Sequence, residues 1–328
     1  MTAAFVLPQP PLLSRATFDR ADEIRDQPER MRAGWPTARV LRIDRAGRYP
    51  VTDDGGLAWV AAAELAVVPL DDAVFLGLAP ESTDPGAAAD ASRGADAGRD
   101  LWAQRVDEIE GATADPRRGA HLLDADEAGL LATALGVLNW HATAGFSPVD
   151  GSPVAPARGG WVRRGDGGDQ FPRTDPATIT VIHDGADQVL LGRQASWPDG
   201  WYSTLAGFVE PGESLEQCVI REVYEEVGVT ARDPHYLGSQ PWPFPRSLML
   251  GFEATADPTE PLNFLDGEIG DAVWFHRSEV IDALEHGGEW RVDGSAPADG
   301  RRLRLPGSIS IARAMITAWA YAPSTATG

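Results

Sequence analysis

Lysine is absent from this chain of 328 residues, and all 28 basic residues are arginine. The absence excludes a phosphate-binding Walker lysine, a Schiff-base lysine and a lysine nucleophile anywhere in the protein. Any acid, base or nucleophile that the protein uses must therefore be another side chain.

Cysteine and long apolar runs are also scarce. Cys218 is the only cysteine, so the chain can form no internal disulfide and no cysteine-based zinc site, which fits a reducing compartment. No run of about 18 apolar residues appears, and prolines interrupt the amino-terminal segment where a signal peptide needs a continuous apolar stretch. We therefore predict a cytoplasmic protein that does not contact membranes.

Acidic residues outnumber basic ones by 49 to 28, so the net charge is -21 at pH 7. Affinity for a nucleic-acid backbone depends on a basic surface, so this charge argues against a protein whose main role is to clamp nucleic acid. The clusters Arg163–Arg164 and Arg301–Arg304 are candidates for local patches, although single clusters of this kind are more often solvated faces. The apolar fraction of 43% is ample for two folded domains.

The pattern along the chain predicts three parts. Residues 1–141 contain the β-like runs "ARVLRI", "LAWVAA", "LAVVPL" and "AVFLGLA" and end in a helix over "DADEAGLLATALGVLNWH", from Asp124. Within them, Glu81–Asp100 has almost no large apolar residue, which predicts a flexible surface loop. Residues 142–173 are rich in Gly and Pro and predict a compact connector of turns. Residues 174–328 combine strong strands with helices, which predicts an α+β or α/β sandwich behind a small sheet-rich domain.

The segment "GFVEPGESLEQCVIREVYEEVGV" contains six acidic residues, although most of it has the pattern of one amphipathic helix. Ser214 and Gln217 form a capping-box pair, so the helix should run from about Leu215 to near Gly228. Its packing stripe consists of three valines at successive i+4 steps, Val219, Val223 and Val227.

Glu222, Glu225 and Glu226 share one edge of this helix beside the valine stripe. Like charges at this spacing repel each other, and more strongly when they are partly buried. A divalent cation that prefers oxygen ligands would replace this repulsion between carboxylates by attraction to the cation. Mg²⁺ or Mn²⁺ is the usual cation where phosphates are the other ligands. The alternative to a metal site is an acidic helix face exposed to solvent. The clustering of acidic residues, taken by itself, favours this alternative.

The spacing of the segment resembles the Nudix box, GX5EX7REUXEEXGU with U aliphatic, at every specified position. The matched residues are Gly207, Glu213 and the run from Arg221 through Gly228 to Val229. The Nudix resemblance implies an α/β/α sandwich that hydrolyses a nucleoside diphosphate linked to another group. It also implies an ion pair between Arg221 and Glu213 that holds the loop to the helix.

The same resemblance implies which groups hold metal. It assigns ligation to Glu222 and Glu226, a role as ligand or base to Glu225, and a further ligand to the backbone carbonyl of Ala206. Metal ions would neutralise the diphosphate, and an activated water would attack one phosphorus.

A second motif, "SQPWPFPRS" from Ser239 to Ser247, follows the box. Alternating prolines and aromatics fix an extended backbone and present Trp242 and Phe244 as flat surfaces suited to stacking on a base. The alternative is a proline-stiffened turn with buried aromatics. Together with the box, this motif resembles the signature of the NADH pyrophosphatase branch of the Nudix family.

The resemblance to that branch implies further site residues. It makes Glu268 a metal ligand, and it places nicotinamide between Phe171 and Phe208, for either of which a buried core role is the alternative. Substrate contacts are implied at nine more positions, Gln240, Pro241, Trp242, Pro243, Phe244, Pro245, Arg246, Ser247 and Ala312.

The chain departs from the family at the zinc ribbon, which usually contains four cysteines. Ser147, Asp150, Gly165 and Gly168 stand at those positions, so no thiolate is left to bind zinc. We expect a zinc-ribbon-like connector without metal, stabilised by packing, for instance of Trp161.

The resemblance implies hydrolysis of NADH or NAD⁺ to nicotinamide mononucleotide and AMP with Mg²⁺ or Mn²⁺. It also implies a homodimer and the removal of NAD caps from RNA 5′ ends. One alternative is a broader hydrolase of ADP-ribose or other dinucleotides. Another is a non-catalytic module that binds NAD, against which the intact carboxylate set counts.

Overall fold

The computed structural model describes residues 3–80, 98–264, 267–286 and 303–323. Its contacts divide the chain into two compact units. The N-terminal unit contains Leu13–Thr174 and Trp242–Arg246, and the C-terminal unit contains Met1–Leu12, Asp175–Pro241 and Ser247–Gly328. No helix in the described ranges is long and apolar enough to cross a membrane.

The N-terminal unit is built around a four-stranded sheet in the order β3-β1-β5-β4, in which β1 and β5 are parallel and the other pairs antiparallel. In chain order its elements are α1 (Pro28–Gly34), β1 (Arg39–Asp44), β2 (Tyr49–Pro50), β3 (Val60–Ala61), α2 (Ala62–Leu65), β4 (Ala73–Leu78), β5 (Asp100–Val106), β6 (Thr113–Ala114), α3 (Pro116–Gly119), α4 (Ala125–Thr143), β7 (Ala155–Ala157), β8 (Val162–Gly165) and β9 (Gly168–Gln170). Trp102 lies at the centre of the sheet's core, where Trp35 and Phe75 contact it edge to face.

The helix predicted from Asp124 is confirmed as α4, which begins one residue later, at Ala125. The Asp124 side chain caps it by accepting a hydrogen bond from the Glu127 amide at 2.8 Å, and the acidic first turn suits the helix dipole. The helix packs against β4 and β5.

Two predictions for the first part of the chain fail. The run "LAVVPL" is not a strand, and Val67 is 91% exposed, because β-branched residues form a strand only where a partner pairs with them. Asp100, the predicted end of the flexible loop, begins β5 and is buried against Arg30 at 2.8 Å. Residues 81–97 of that loop lie outside the described ranges.

The connector contains more regular structure than turns alone. Strands β7, β8 and β9 form an antiparallel sheet. The two segments that hold zinc in a ribbon lie next to each other, since a Cβ on Gly167 would come within 3.0 Å of Ser147 Oγ and Asp150 Oδ1. Trp161 donates a hydrogen bond to the Phe75 carbonyl at 2.6 Å, and the Arg25 guanidinium lies 3.9 Å from its ring centre.

The C-terminal unit is a mixed sheet between helices. Its elements are β10 (Asp175–His183), β11 (Gln188–Gln194), β12 (Leu205–Phe208), α5 (Leu215–Val227), β13 (Arg232–Trp242), β14 (Ser247–Thr255), β15 (Ile269–His276), α6 (Arg277–His286) and α7 (Ile311–Tyr321). The strand order is β13-β14-β10-β11-β15, with β12 paired to β10.

Side chains alternate between the two faces of this sheet. Ile182 and Leu190 pack with the valines of α5, whereas Val181 and Leu191 pack with α6 and α7 on the other face. This alternation, with period 2 along each strand, confirms the predicted α/β/α sandwich.

The units differ from the predicted three-part division in three places. Phe5, near the amino terminus, is buried in the core of the C-terminal unit, and Trp242–Arg246 belong to the N-terminal unit. The connector is part of the N-terminal unit rather than a separate body. Distant segments supply these contacts, which a division by composition does not detect.

Candidate active site

Helix α5 begins and ends as its capping residues predict. Ser214 Oγ accepts from the Gln217 amide at 3.2 Å, and the Gln217 side chain accepts from the Ser214 amide at 2.8 Å. Gly228 ends the helix in the left-handed conformation, with φ 77°, which glycine adopts without steric cost. The three valines of the predicted stripe are buried, so the helix orientation is fixed by packing.

Arg221 joins the loop before α5 to the helix. Its guanidinium forms two hydrogen bonds to Glu213, at 2.6 and 3.0 Å, and a third to the Phe208 carbonyl at 3.0 Å. These bonds to Arg221 lower the pKa of Glu213 to about 2, because they stabilise the charged carboxylate. The ion pair implied by the Nudix box is therefore present and charged.

The same arginine contacts two residues of the glutamate cluster, which we define as Glu222, Glu225 and Glu226. Its Nη1 donates to Glu222 Oε1 at 2.9 Å and to Glu225 Oε2 at 2.8 Å. Glu226 is buried, with 4% of its surface exposed. Burial raises the pKa of Glu222, with smaller contributions from the charges of Glu225 and Glu268. The charge of Glu268 thus acts on Glu222, although the two residues are far apart in sequence.

The Glu222 carboxylate lies against the backbone of β12. A Cβ added to Gly207 would come within 3.0 Å of Glu222 Cδ and of both carboxylate oxygens. Gly207 follows Ala206, whose carbonyl is the predicted backbone ligand. The first residue of the box is therefore a glycine because a carboxylate occupies the space of its side chain.

The donor chemistry of this site fits a divalent cation with oxygen ligands. In the parts of the chain that the structure describes, no three His, Cys, Asp or Glu side chains already converge as a metal cage, and Arg221 binds two of the carboxylates. The acidic oxygens nevertheless outnumber the one arginine, and Mg²⁺ and Mn²⁺ prefer such ligands. Glu222, Glu225, Glu226, Glu268 and the Ala206 carbonyl are the groups that could hold the cation.

The predicted substrate residues of the C-terminal unit differ in exposure. Phe208 is 58% exposed, so it is not a core residue. Gln240 is fully buried, where its side chain donates to the Ile309 carbonyl at 2.8 Å and accepts from the Ile311 amide at 2.7 Å. Ala312 is buried near the amino-terminal end of α7. Gln240 therefore positions the start of α7, and its direct contact with substrate stays a prediction, as does that of Ala312.

Pro241 and Ser247 also belong to the C-terminal unit, whereas Phe171 and Trp242–Arg246 belong to the N-terminal unit. Phe171 is 61% exposed and, like Phe208, is not a core residue. Trp242 and Phe244 contact each other edge to face, with ring centres 4.9 Å apart. The Arg117 guanidinium lies 4.5 Å from the centre of the Phe244 ring, a contact that no sequence motif indicated.

The only thiol near the box is not a nucleophile. Cys218 is fully buried in α5 and lies 3.3 Å from the Thr178 hydroxyl. Burial raises the pKa of Cys218, and a protonated buried thiol is inert.

In this α/β/α sandwich the box begins in strand β12, continues through a loop and includes the glutamate-rich helix α5. This is the architecture of a Nudix hydrolase. Comparison with known families agrees: residues 173–293 match the NUDIX domain, and residues 28–140 match the NADH pyrophosphatase-like rudimentary NUDIX domain.

Relatives match over 61–96% of this chain. A protein of Mycobacterium bovis (strain BCG / Pasteur 1173P2) named NAD-capped RNA hydrolase NudC is 46% identical over 325 residues, which cover 96% of each chain. An NAD-capped RNA hydrolase of Schizosaccharomyces pombe is 39% identical over 218 residues, 61% of this chain and 56% of that one. A solved NUDIX hydrolase from Nitrosomonas europaea is 24% identical with a TM-score of 0.28, covering 39% of this chain and 99% of that one. The chain belongs to the Nudix hydrolase family, in its NADH pyrophosphatase-like, NAD-capped RNA hydrolase branch.

Proposed function

We propose that this protein hydrolyses the diphosphate bond of NADH or NAD⁺ to give nicotinamide mononucleotide and AMP, and removes NAD caps from RNA 5′ ends. The observation that supports this most is the glutamate cluster, in which Glu222 packs beside Gly207 and Arg221 binds Glu222 and Glu225. The chain is also 46% identical over 325 residues to an NAD-capped RNA hydrolase.

In this proposal the box residues divide into two roles. Arg221 and Glu213 fix the loop and helix, and Arg221 also donates hydrogen bonds to Glu222 and Glu225. Glu222, Glu226, Glu268 and the Ala206 carbonyl hold Mg²⁺ or Mn²⁺, and Glu225 is a further ligand or the base that removes a proton from water. When bound by these groups, the cation would supply positive charge for the diphosphate and would lower the pKa of a coordinated water.

Substrate recognition in this proposal uses aromatic faces and a proline-rich segment. The exposed rings of Phe171 and Phe208 offer flat surfaces for nicotinamide. Residues 240–247, which we call the substrate loop, contribute further contacts together with Ala312. The net charge of -21 limits RNA recognition to a short unpaired end, which needs only a local basic path.

The proposal also includes a homodimer in the cytoplasm. The location is supported by the cysteine content. Cys218 is the only cysteine and is buried, so the chain forms no internal disulfide, as is usual for proteins of reducing compartments. Sedimentation of the purified chain measures the oligomeric state.

The test is turnover of NADH, NAD⁺, ADP-ribose and NAD-capped RNA with Mg²⁺ or Mn²⁺, for the unchanged chain and for Glu226→Gln. The matched control is Glu216→Gln, an exposed glutamate of the same helix outside the box positions. We expect NADH and NAD⁺ cleavage to the two mononucleotides, lost in Glu226→Gln and retained in the control. Preference for ADP-ribose would indicate a broader hydrolase, and tight NAD binding without turnover a binding module.

A further inference from the structure

Asn139 is a polar residue of α4, outside both sequence motifs, whose side chain contacts the substrate loop. Its Nδ2 donates to the Pro243 carbonyl at 2.9 Å and to the Pro245 carbonyl at 3.0 Å. A carboxamide nitrogen has two hydrogens, so each can go to one carbonyl. The two accepting carbonyls lie on either side of Phe244 in the sequence.

The orientation of this carboxamide is fixed from its other side. Asn139 Oδ1 accepts from Arg105 Nη2 at 2.7 Å, and Arg105 Nη1 donates to the Asp44 carbonyl at 2.6 Å. A flipped amide would set its oxygen against two carbonyl oxygens and its nitrogen against a guanidinium, which only donates. Hydrogen bonds therefore run from β1 and β5 through Arg105 and Asn139 to the loop.

The substrate loop needs a donor of this kind because proline removes its own. Pro241, Pro243 and Pro245 have no N–H group, so the loop cannot pair its carbonyls as a regular strand does. Within it the Phe244 amide donates to the Trp242 carbonyl at 2.7 Å. A donor that binds the carbonyls before and after Phe244 fixes the direction in which this segment presents its side chains.

We propose that Asn139, oriented by Arg105, is a positioning residue for the substrate loop and thereby a determinant of dinucleotide affinity. This inference rests on the proposed function, because it assumes that the loop contacts substrate. It also gives the rudimentary domain a role in the reaction: the domain supplies the donor that the proline-rich motif lacks.

The test compares the isosteric Asn139→Asp with Asn139→Ala, Arg105→Gln and the unchanged chain. Aspartate keeps the acceptor for Arg105 but sets an oxygen against the two proline carbonyls. The matched control is Gln104→Ala, which removes a carboxamide that binds Asp72 in the same unit. Each variant is measured for KM and kcat with NADH, for thermal unfolding, and for hydrogen exchange of peptides that span residues 239–250.

We expect the two Asn139 variants to raise KM about tenfold, the effect of losing two neutral hydrogen bonds, with kcat within about twofold. Loss of uniform binding has this signature. Exchange in the loop peptides should become faster in the same variants, and Arg105→Gln should change both quantities in the same direction, whereas Gln104→Ala should change neither.

Unchanged KM and unchanged loop exchange in Asn139→Asp would overturn the proposal, and so would equal changes in Gln104→Ala. If the unchanged chain cleaves no dinucleotide, the proposed function is wrong. Hydrogen exchange of the loop peptides would still test whether Asn139 holds the substrate loop in place. If the Asn139 variants do not fold, Arg105→Gln decides by the same two measurements.

Discussion

The Glu222 carboxylate lies against the Cα of Gly207, so that a methyl group on residue 207 would overlap it. The two residues come from different elements, Gly207 from β12 and Glu222 from α5. Their contact explains why a motif written as a linear spacing begins with glycine. It also makes the position of a proposed metal ligand depend on a residue with no side chain.

Gly207→Ala should therefore reduce turnover without unfolding the protein. The added methyl group displaces the Glu222 carboxylate, and a shift of about 1 Å at a reacting centre can cost about 100-fold in rate. The measurement is kcat with NADH, together with thermal unfolding. Gly136→Ala in α4 is the control, because a Cβ there meets nothing within 4 Å. Full activity in Gly207→Ala would show that Glu222 does not need this position.

Glu213→Gln should weaken the link between loop and helix. Arg221 loses one of its three charged partners, and hydrogen bonds to charged groups contribute about 1.5–3 kcal/mol each. We expect the free energy of unfolding to fall by about 2 kcal/mol. We also expect kcat to fall, since Arg221 is then free to bind the glutamate cluster more closely.

Urea unfolding and NADH turnover check these two effects of Glu213→Gln. Glu210→Gln, which changes an exposed carboxylate of the same loop, should leave both unchanged. If Glu213→Gln matches Glu210→Gln, the ion pair is not important for stability.

Local signals in the sequence predicted the limits of the box helix but not the contacts between segments that are distant in sequence. Ser214, Gln217 and Gly228 act within a few residues of themselves, so the limits of α5 could be predicted from spacing. β5 was missed because it pairs in parallel with β1, and parallel partners are distant in sequence. Asn139 could not be predicted either, since its partners Pro243 and Pro245 are more than 100 residues away.

Because Tyr49 is buried, we predict that the free energy of unfolding falls at high pH. Burial raises its pKa from 10.0 to about 12, with smaller contributions from the negative charges of Glu127 and Asp115. The folded protein therefore holds the phenol proton more tightly than the unfolded chain. The resulting stability is complete below pH 10 and is lost as the pH rises from 10 to 12.

Between pH 9 and pH 11 this difference corresponds to about 1.4 kcal/mol of unfolding free energy. Urea unfolding at the two pH values measures it, and Tyr49→Phe should remove that part of the decline. Tyr236→Phe, at a tyrosine that is 55% exposed, is the control. An equal decline in Tyr49→Phe would show that other groups cause it.

Because the ribbon-like connector has no cysteine, we predict that removing metal ions with a chelator does not affect its folding. Its turns meet through Ser147, Asp150 and Gly167, and Trp161 anchors it to the Phe75 carbonyl. Trp161→Ala should therefore lower the free energy of unfolding by about 3 kcal/mol, whereas Val149→Ala, at a residue that is 79% exposed, should have little effect.

A strong chelator should abolish NADH turnover and leave the thermal unfolding of the N-terminal unit unchanged, because no thiolate of the connector binds metal. Adding Mg²⁺ or Mn²⁺ back should restore turnover, and metal analysis of the purified chain should find no stoichiometric zinc. If chelation instead lowered the unfolding temperature as much as Trp161→Ala does, the connector would contain a structural metal bound by oxygen or nitrogen ligands. The packing of Trp161 would then be a secondary source of its stability.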